Sequence, residues 1–418
     1  MQKKIFYFLL LFYFCGFIVK AQNYDLIIKG GQVIDPKNNL NTVLDVAIKD
    51  GKIARVAKNI NSKEGKQIVN AKGMLVTPGL IDIHGHVFFG TEPDHYLSNG
   101  LVALPPDGFT FRVGVTTIVD AGGAGWKSFP TFKKNIIDNS KTRVLSFMNI
   151  VGEGMRDTNA YEQDLNDMDA KMSANVARRY KNYVVGFKVA HYEEADWTPL
   201  DRAVEAGKMV DMPVMIDFGG HDDHPPLSIE ELFFKHLRPG DIYTHTFTEL
   251  SRRDPIVDFK TRELRPFVKE AQKRGIIFDV GYGGASFAYA QAIPALKAGF
   301  YPNTISTDLH TGSMNASMKD QLNVMSTFLT MGMDVQNVIR ASTWAPAQAI
   351  KRDELGHLTE GAIADVAILN LRQGTFGFKD REGQRLEGKQ KFECEMTIKD
   401  GKIVYDLNGI ANPIVLNK

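Results

Sequence analysis

Five side chains far apart in the chain carry the chemistry this sequence offers: His84, His86, Lys188, His245 and Asp308. His84 and His86 stand two apart in the apolar run Leu80-Ile81-Asp82-Ile83-His84-Gly85-His86. Residues i and i+2 of a strand face the same side, so two imidazoles so placed can meet one cation. Lys188 follows the apolar run Val184-Val185-Gly186-Phe187. Such a lysine either reaches solvent past the strand end or stays buried, where charging it is costly. An uncharged amine reacts with carbon dioxide to give a carbamate, an anionic bidentate metal ligand. His245 lies in Ile242-Tyr243-Thr244-His245-Thr246-Phe247, and Asp308 in Ile305-Ser306-Thr307-Asp308-Leu309-His310. Taken singly, each is more often a structural residue. Taken together, imidazole and carboxylate ligands suit zinc, manganese or iron, with zinc the usual hydrolytic ion.

The elements that must position them can be read from the spacing of buried-type apolar runs. These begin near Leu80, Val115, Val144, Val184, Val214, Ile242, Ile276 and Ile305. Helical patterns lie between several of them, at 200–210 and 265–274. Eight strand-plus-helix units of about 30 residues are what a (β/α)8 TIM barrel requires, here over residues 78–356. The five residues then fall at the ends of strands one, four, six and eight, on the rim where barrel active sites form. A doubly wound open sheet is the competing architecture. No Gly-rich phosphate loop follows a strand at the required spacing, which disfavours it.

Both chain ends read differently. Alternating apolar residues flank Asp50-Gly51 and again Asp400-Gly401, and the string Ile-Lys-Asp-Gly-Lys-Ile occurs at 48–53 and 398–403. Asp-Gly between alternations signals a hairpin. The two hairpins are expected to build one small β-sandwich domain from residues 22–77 and 357–418.

Residues 1–21 carry Lys3 and Lys4, an apolar run from Ile5 to Val19, and Val19-Lys20-Ala21. This is the pattern of a secretory signal peptide cleaved near Ala21, which predicts a secreted or periplasmic protein without stable membrane insertion. Cleavage removes three lysines and no acid, taking the formal charge from +1 to −2, and leaves Cys394 as the one cysteine. No internal disulfide is then possible. With 50 basic and 49 acidic residues in the whole chain, the charge balance gives no case for nucleic-acid binding. A small-molecule substrate is the expected partner, and a homo-oligomer stays open.

The run Thr77-Pro78-Gly79-Leu80-Ile81-Asp82-Ile83-His84-Gly85-His86, with Gly356-His357-Leu358-Thr359-Glu360-Gly361-Ala362 near the other end, resembles the amidohydrolase superfamily of metal-dependent hydrolases. Strands seven and eight are similar to its dihydroorotase- and deacetylase-like branch. The resemblance implies two divalent ions, by family habit zinc. His84, His86 and Asp308 would hold one, His245 and a strand-five ligand the other, with N6-carboxylated Lys188 as the bridge. Relatives usually place histidine where Asp217 stands. Asp217 itself is then the ligand, or His221 or His224 replaces it, or the second site is weak. Tyr282 also departs from a common histidine and, with Gly283, is expected to face substrate. Arg156 is either a partner for a substrate carboxylate or an ordinary surface arginine.

The implied reaction is hydrolysis of an N-acyl bond, a cyclic amide or a small ester by hydroxide on the metal, with Asp308 as general base and then acid. A mononuclear deaminase of a nucleobase-like ring is the alternative among enzymes. A metabolite-binding barrel without turnover is the alternative outside them.

Overall fold

The computed structural model describes residues 23–90, 103–155 and 159–412. The segment read as a signal peptide and Arg156 lie outside the described residues.

Seven parallel strands form one curled sheet: β6 (Leu80–Gly85), β7 (Val115–Gly125), β8 (Arg143–Asn149), β9 (Val184–Ala190), β10 (Val214–Asp217), β11 (Ile242–Tyr243) and β12 (Ile277–Phe278), each beside the next in chain order. The strand starts fall within one residue of the expected positions. The helices Thr198–Val210 and Pro266–Arg274 occupy the expected helical stretches. An eighth segment, 304–309, hydrogen-bonds to both ends of this row. Val280 N donates to Thr304 O (3.1 Å), and Asp308 N donates to His84 O (2.6 Å). Asp82 reinforces the second contact by accepting from Thr307 N (3.1 Å) and from the Thr307 hydroxyl.

The strands are buried on both faces, as parallel strands covered by helices must be. Ile81, Ile83, Val119, Ala121, Leu145, Phe147, Val185, Met215 and Ile242 share one cluster. Leu80, Ile118, Val144, Val184, Val214 and Tyr243 belong to a second, larger cluster that includes residues of the helices. Alternation along each strand thus feeds two separate cores.

The chain ends join in one mixed eight-stranded sheet. It comprises β1 (Tyr24–Asp35), β2 (Leu40–Lys49), β3 (Lys52–Ala57), β4 (Gly65–Asn70) and β5 (Leu75–Pro78) from the start of the chain, with β13 (Val366–Lys379), β14 (Arg385–Lys399) and β15 (Lys402–Asp406) from its end. The path runs β15-β14-β13-β5-β1-β2-β3, with β4 on β1. The two Asp-Gly turns are its outermost hairpins, yet they touch. Asp50 and Gly51 have φ of 50° and 74°, and Asp400 and Gly401 have 50° and 76°. A Cβ on Gly401 would lie 2.8 Å from the Gly51 Cα. One length escaped the sequence reading: β13 and β14 form a long arm that reaches the seventh strand-loop of the parallel sheet. Arg381 N at its tip donates to Phe287 O (3.0 Å), and Tyr289 N donates to Asp380 Oδ2 (3.0 Å).

Candidate metal centre

The register of the parallel sheet gathers the site. Asn149 pairs with Lys188, Ala190 with Asp217, and Gly85 bridges to Leu309, so the carboxyl ends of β6, β9 and β10 stand level with the 304–309 segment. All five residues singled out by type and spacing converge there, and Asp217 joins them. His84 Nε2 lies 3.3 Å from Lys188 Nζ and 3.6 Å from Asp308 Oδ1. His86 Nε2 lies 2.9 Å from the same Asp308 oxygen. His245 Nε2 is 3.1 Å from Asp217 Oδ2, which is 3.5 Å from Lys188 Nζ. Among the described residues there are two sets whose ligand atoms lie within 4.8 Å of one another inside each set: His84, His86 and Asp308, and His84, Asp217 and His245. Lys188 Nζ stands against both sets.

The hydrogen bonds behind two imidazoles decide which nitrogen is free. The Thr244 hydroxyl donates to Asp279 Oδ2 (2.7 Å), so toward His84 it can only accept, and His84 Nδ1–H donates to it (2.9 Å). His245 Nδ1–H donates to the Gly281 carbonyl. Both rings thus carry a proton on Nδ1 and turn Nε2 toward the carboxylates, the orientation expected of metal-ligating histidine. Asp279 is itself fixed by the hydroxyls of Thr304 (2.6 Å) and Ser306 (2.7 Å).

Burial, with the charge of Lys188 added, pushes His84 down to about 3, so its imidazole is neutral at physiological pH. Burial works against ionising Asp308 and Asp217, but neighbouring donors and cations outweigh it. The hydrogen bond from His86 and the histidines around it hold Asp308 below the usual carboxylate range. His245, Lys188 and Arg253 hold Asp217 well below it. Imidazole nitrogens beside ionised carboxylates form a donor set that fits a divalent cation. Strain marks the same place. His191, His245 and Asp308 have φ of 55°, 53° and 55°, in the left-handed region where non-glycine residues cost about 1–3 kcal/mol.

Other expectations meet a different outcome. His224 Nε2 donates to the Glu193 carbonyl (2.7 Å) and Nδ1 lies 2.9 Å from the Pro225 carbonyl; His221 sits by Asp223 (3.2 Å). His224 ties this loop to the segment after β9, and among the described residues neither histidine joins a ligand set. Tyr282 was expected to face substrate, and the structure corrects this. Its ring is fully buried and stacked on Phe287 at 4.1 Å, and its hydroxyl donates to the Lys379 carbonyl on the β13–β14 arm. Gly283 does lie at the site: a Cβ there would come within 2.6 Å of Asp308 Oδ2. Gly122 plays the same part for Lys188, whose Cγ would be 2.7 Å away.

Sequence reasoning missed three groups. Arg253 Nη2 donates to Asp217 Oδ1 (2.7 Å). Buried Glu162 accepts from Asn149 Nδ2 (3.1 Å) and pairs with His191 Nδ1 (2.8 Å), directly after β9. Thr244 and Asp279 orient His84. Only the last pair left a signal, since both stand inside strand runs that already carried a site residue.

With this geometry in hand, the chain can be set beside known proteins. The model of the Amidohydrolase family matches residues 288–404. A deacetylase of Brucella anthropi is 32% identical over 351 residues, covering 82% of this chain and 83% of that one. A crystal structure of an adenine deaminase superposes with a TM-score of 0.81 at 28% identity, over 92% of this chain and all of the other. A dihydroorotase structure gives 0.79 at 27%, over 91% and 99%. The chain belongs to the amidohydrolase family.

Proposed function

We propose that this chain is a secreted, metal-dependent amidohydrolase that cuts a non-peptide C–N bond, an N-acyl or cyclic amide, or a small ester. The observation that carries this is the convergence of imidazole Nε2 atoms, two ionised carboxylates and a buried lysine in two overlapping ligand sets. The architecture we infer is an eight-stranded barrel over 78–356, with 304–309 as its last strand, and a β-sandwich folded from one sheet of residues 22–77 and 357–418. His84, His86 and Asp308 would hold one divalent ion, Asp217 and His245 a second, with carboxylated Lys188 as their bridge, and zinc is the ion we favour.

A divalent ion bound there lowers the pKa of coordinated water toward about 7 and polarises a carbonyl oxygen. The side chains do the rest. Asp308 is kept ionised and so can take a proton from the attacking water. Its Oδ2 faces the space that Gly283 leaves open, where substrate can approach. It then returns the proton to the leaving nitrogen or oxygen. His86, bonded to Oδ1, holds the carboxylate in place.

The test is a screen of N-acyl amino acids, cyclic imides and small esters against zinc- and manganese-loaded protein. Turnover of one class, lost on chelation and regained with metal, is the expected result. A second reading has one observation in its favour, the adenine deaminase fold match. Ammonia release from a purine or pyrimidine ring, with all amides and esters untouched, would select it.

A further inference from the structure

We propose that Arg253 is a positioning residue that converts Asp217 into a one-oxygen, charge-compensated metal ligand. This rests on the metal-dependent reading above and goes beyond it by naming what makes a carboxylate serviceable at that place.

The geometry is a clamp. One guanidinium nitrogen of Arg253, Nη2, meets both the backbone carbonyl of Asp217 (3.0 Å) and its side-chain Oδ1 (2.7 Å). Holding main chain and side chain together leaves the Asp217 carboxyl little freedom to turn. The other oxygen, Oδ2, is left to face His245 Nε2 at 3.1 Å. With Oδ1 occupied, Asp217 offers an ion one oxygen.

Charge argues the same way. In the set His84, Asp217 and His245 the one acidic side chain is Asp217. The Arg253 side chain is 12% exposed and that of Asp217 is 7% exposed, so the pair is screened little by water. A guanidinium stays charged at any working pH, so the compensation is permanent. Arg253 contacts neither ligand set through a metal-binding atom and stands behind Asp217, as groups that orient ligands do. Removing such partners typically costs 10–100-fold in metal affinity.

The experiment is metal binding by the full chain, read as zinc equivalents at fixed free zinc and by chelator competition. Arg253→Met should weaken one equivalent roughly 10–100-fold, the same equivalent that His245→Asn weakens, and leave the equivalent that depends on His86 at wild-type affinity. Arg253→Lys keeps the charge but reaches two acceptors poorly, and should fall between. The pairing Asp217→His with Arg253→Met is decisive, because a neutral one-donor imidazole needs no clamp. That double variant should regain the lost equivalent, which also shows that the chain still folds without Arg253. The proposal is overturned if Arg253→Met keeps both equivalents at wild-type affinity, or weakens both alike, or if the double variant does no better than the single. A rise in KM alone, with metal content unmoved, would instead make Arg253 a substrate contact. Wild-type protein that binds no zinc at all would sink the metal reading itself, a result distinct from any of these.

Discussion

At the scale of the residue, the charge states of the site follow from what stands behind each group. Asp308 is ionised although buried, because His86 donates to it and imidazoles surround it. Asp308→Asn keeps the shape and removes the base. Turnover should fall by about 10²–10⁴-fold, the range for positioned proton transfer, with the melting temperature little changed. Full activity in that variant would reject the role. Cys394 offers a second check, outside both ligand sets. Burial pushes its thiol from 9.0 up to about 12. The folded chain therefore keeps this proton when the unfolded chain has lost it. The resulting stability is present below pH 9 and is lost as pH rises from about 9 toward 12. Unfolding measured across that window should show a shallower alkaline loss in Cys394→Ala, and a thiol reagent at pH 8 should label Cys394 only in denaturant.

At the scale of the element, the parallel strands supply level ends and the mixed sheet supplies a brace. The six strand starts from β6 to β11 were legible because both faces of each strand are buried, which writes a continuous apolar run. The β13–β14 arm was not legible. Its outer half is largely exposed and its stretch 372–391 is rich in polar residues, so no burial pattern marks it. That is also why Tyr282 was misread: its partner, the Lys379 carbonyl, belongs to the arm. The touching Asp-Gly turns give a prediction at this scale. Gly51→Ala and Gly401→Ala each force a side chain into left-handed backbone and against the opposite turn, and each should cost about 1 kcal/mol or more. Because both collide across one contact, the double variant in chemical denaturation should lose less than the sum of the two.

At the scale of the whole molecule, the site joins strands from 84 to 308, so occupying it links most of the parallel sheet. A metal that binds only the folded chain stabilises by mass action, about 2.7 kcal/mol at a free concentration 100 times its Kd. Stripping the protein with a chelator should therefore lower the melting temperature and abolish turnover together, and zinc should restore both. Loss of turnover without any thermal shift would mean that the metal is not held by this strand-spanning set. Among the described residues no helix is long and apolar enough to cross a membrane.

What the sequence determined alone was local and periodic. His84 and His86 share a strand face because side chains alternate along a strand, and Lys188 and His245 stand out because a polar group interrupts or ends an apolar run. What only the tertiary structure decided was pairing across distance. Arg253 reaches Asp217 from 36 positions away, Glu162 holds His191 across 29, and Thr244 and Asp279 settle which nitrogen of His84 is free. Such contacts leave no period in the chain, because they depend on how strands and loops stack and not on the spacing within any one of them.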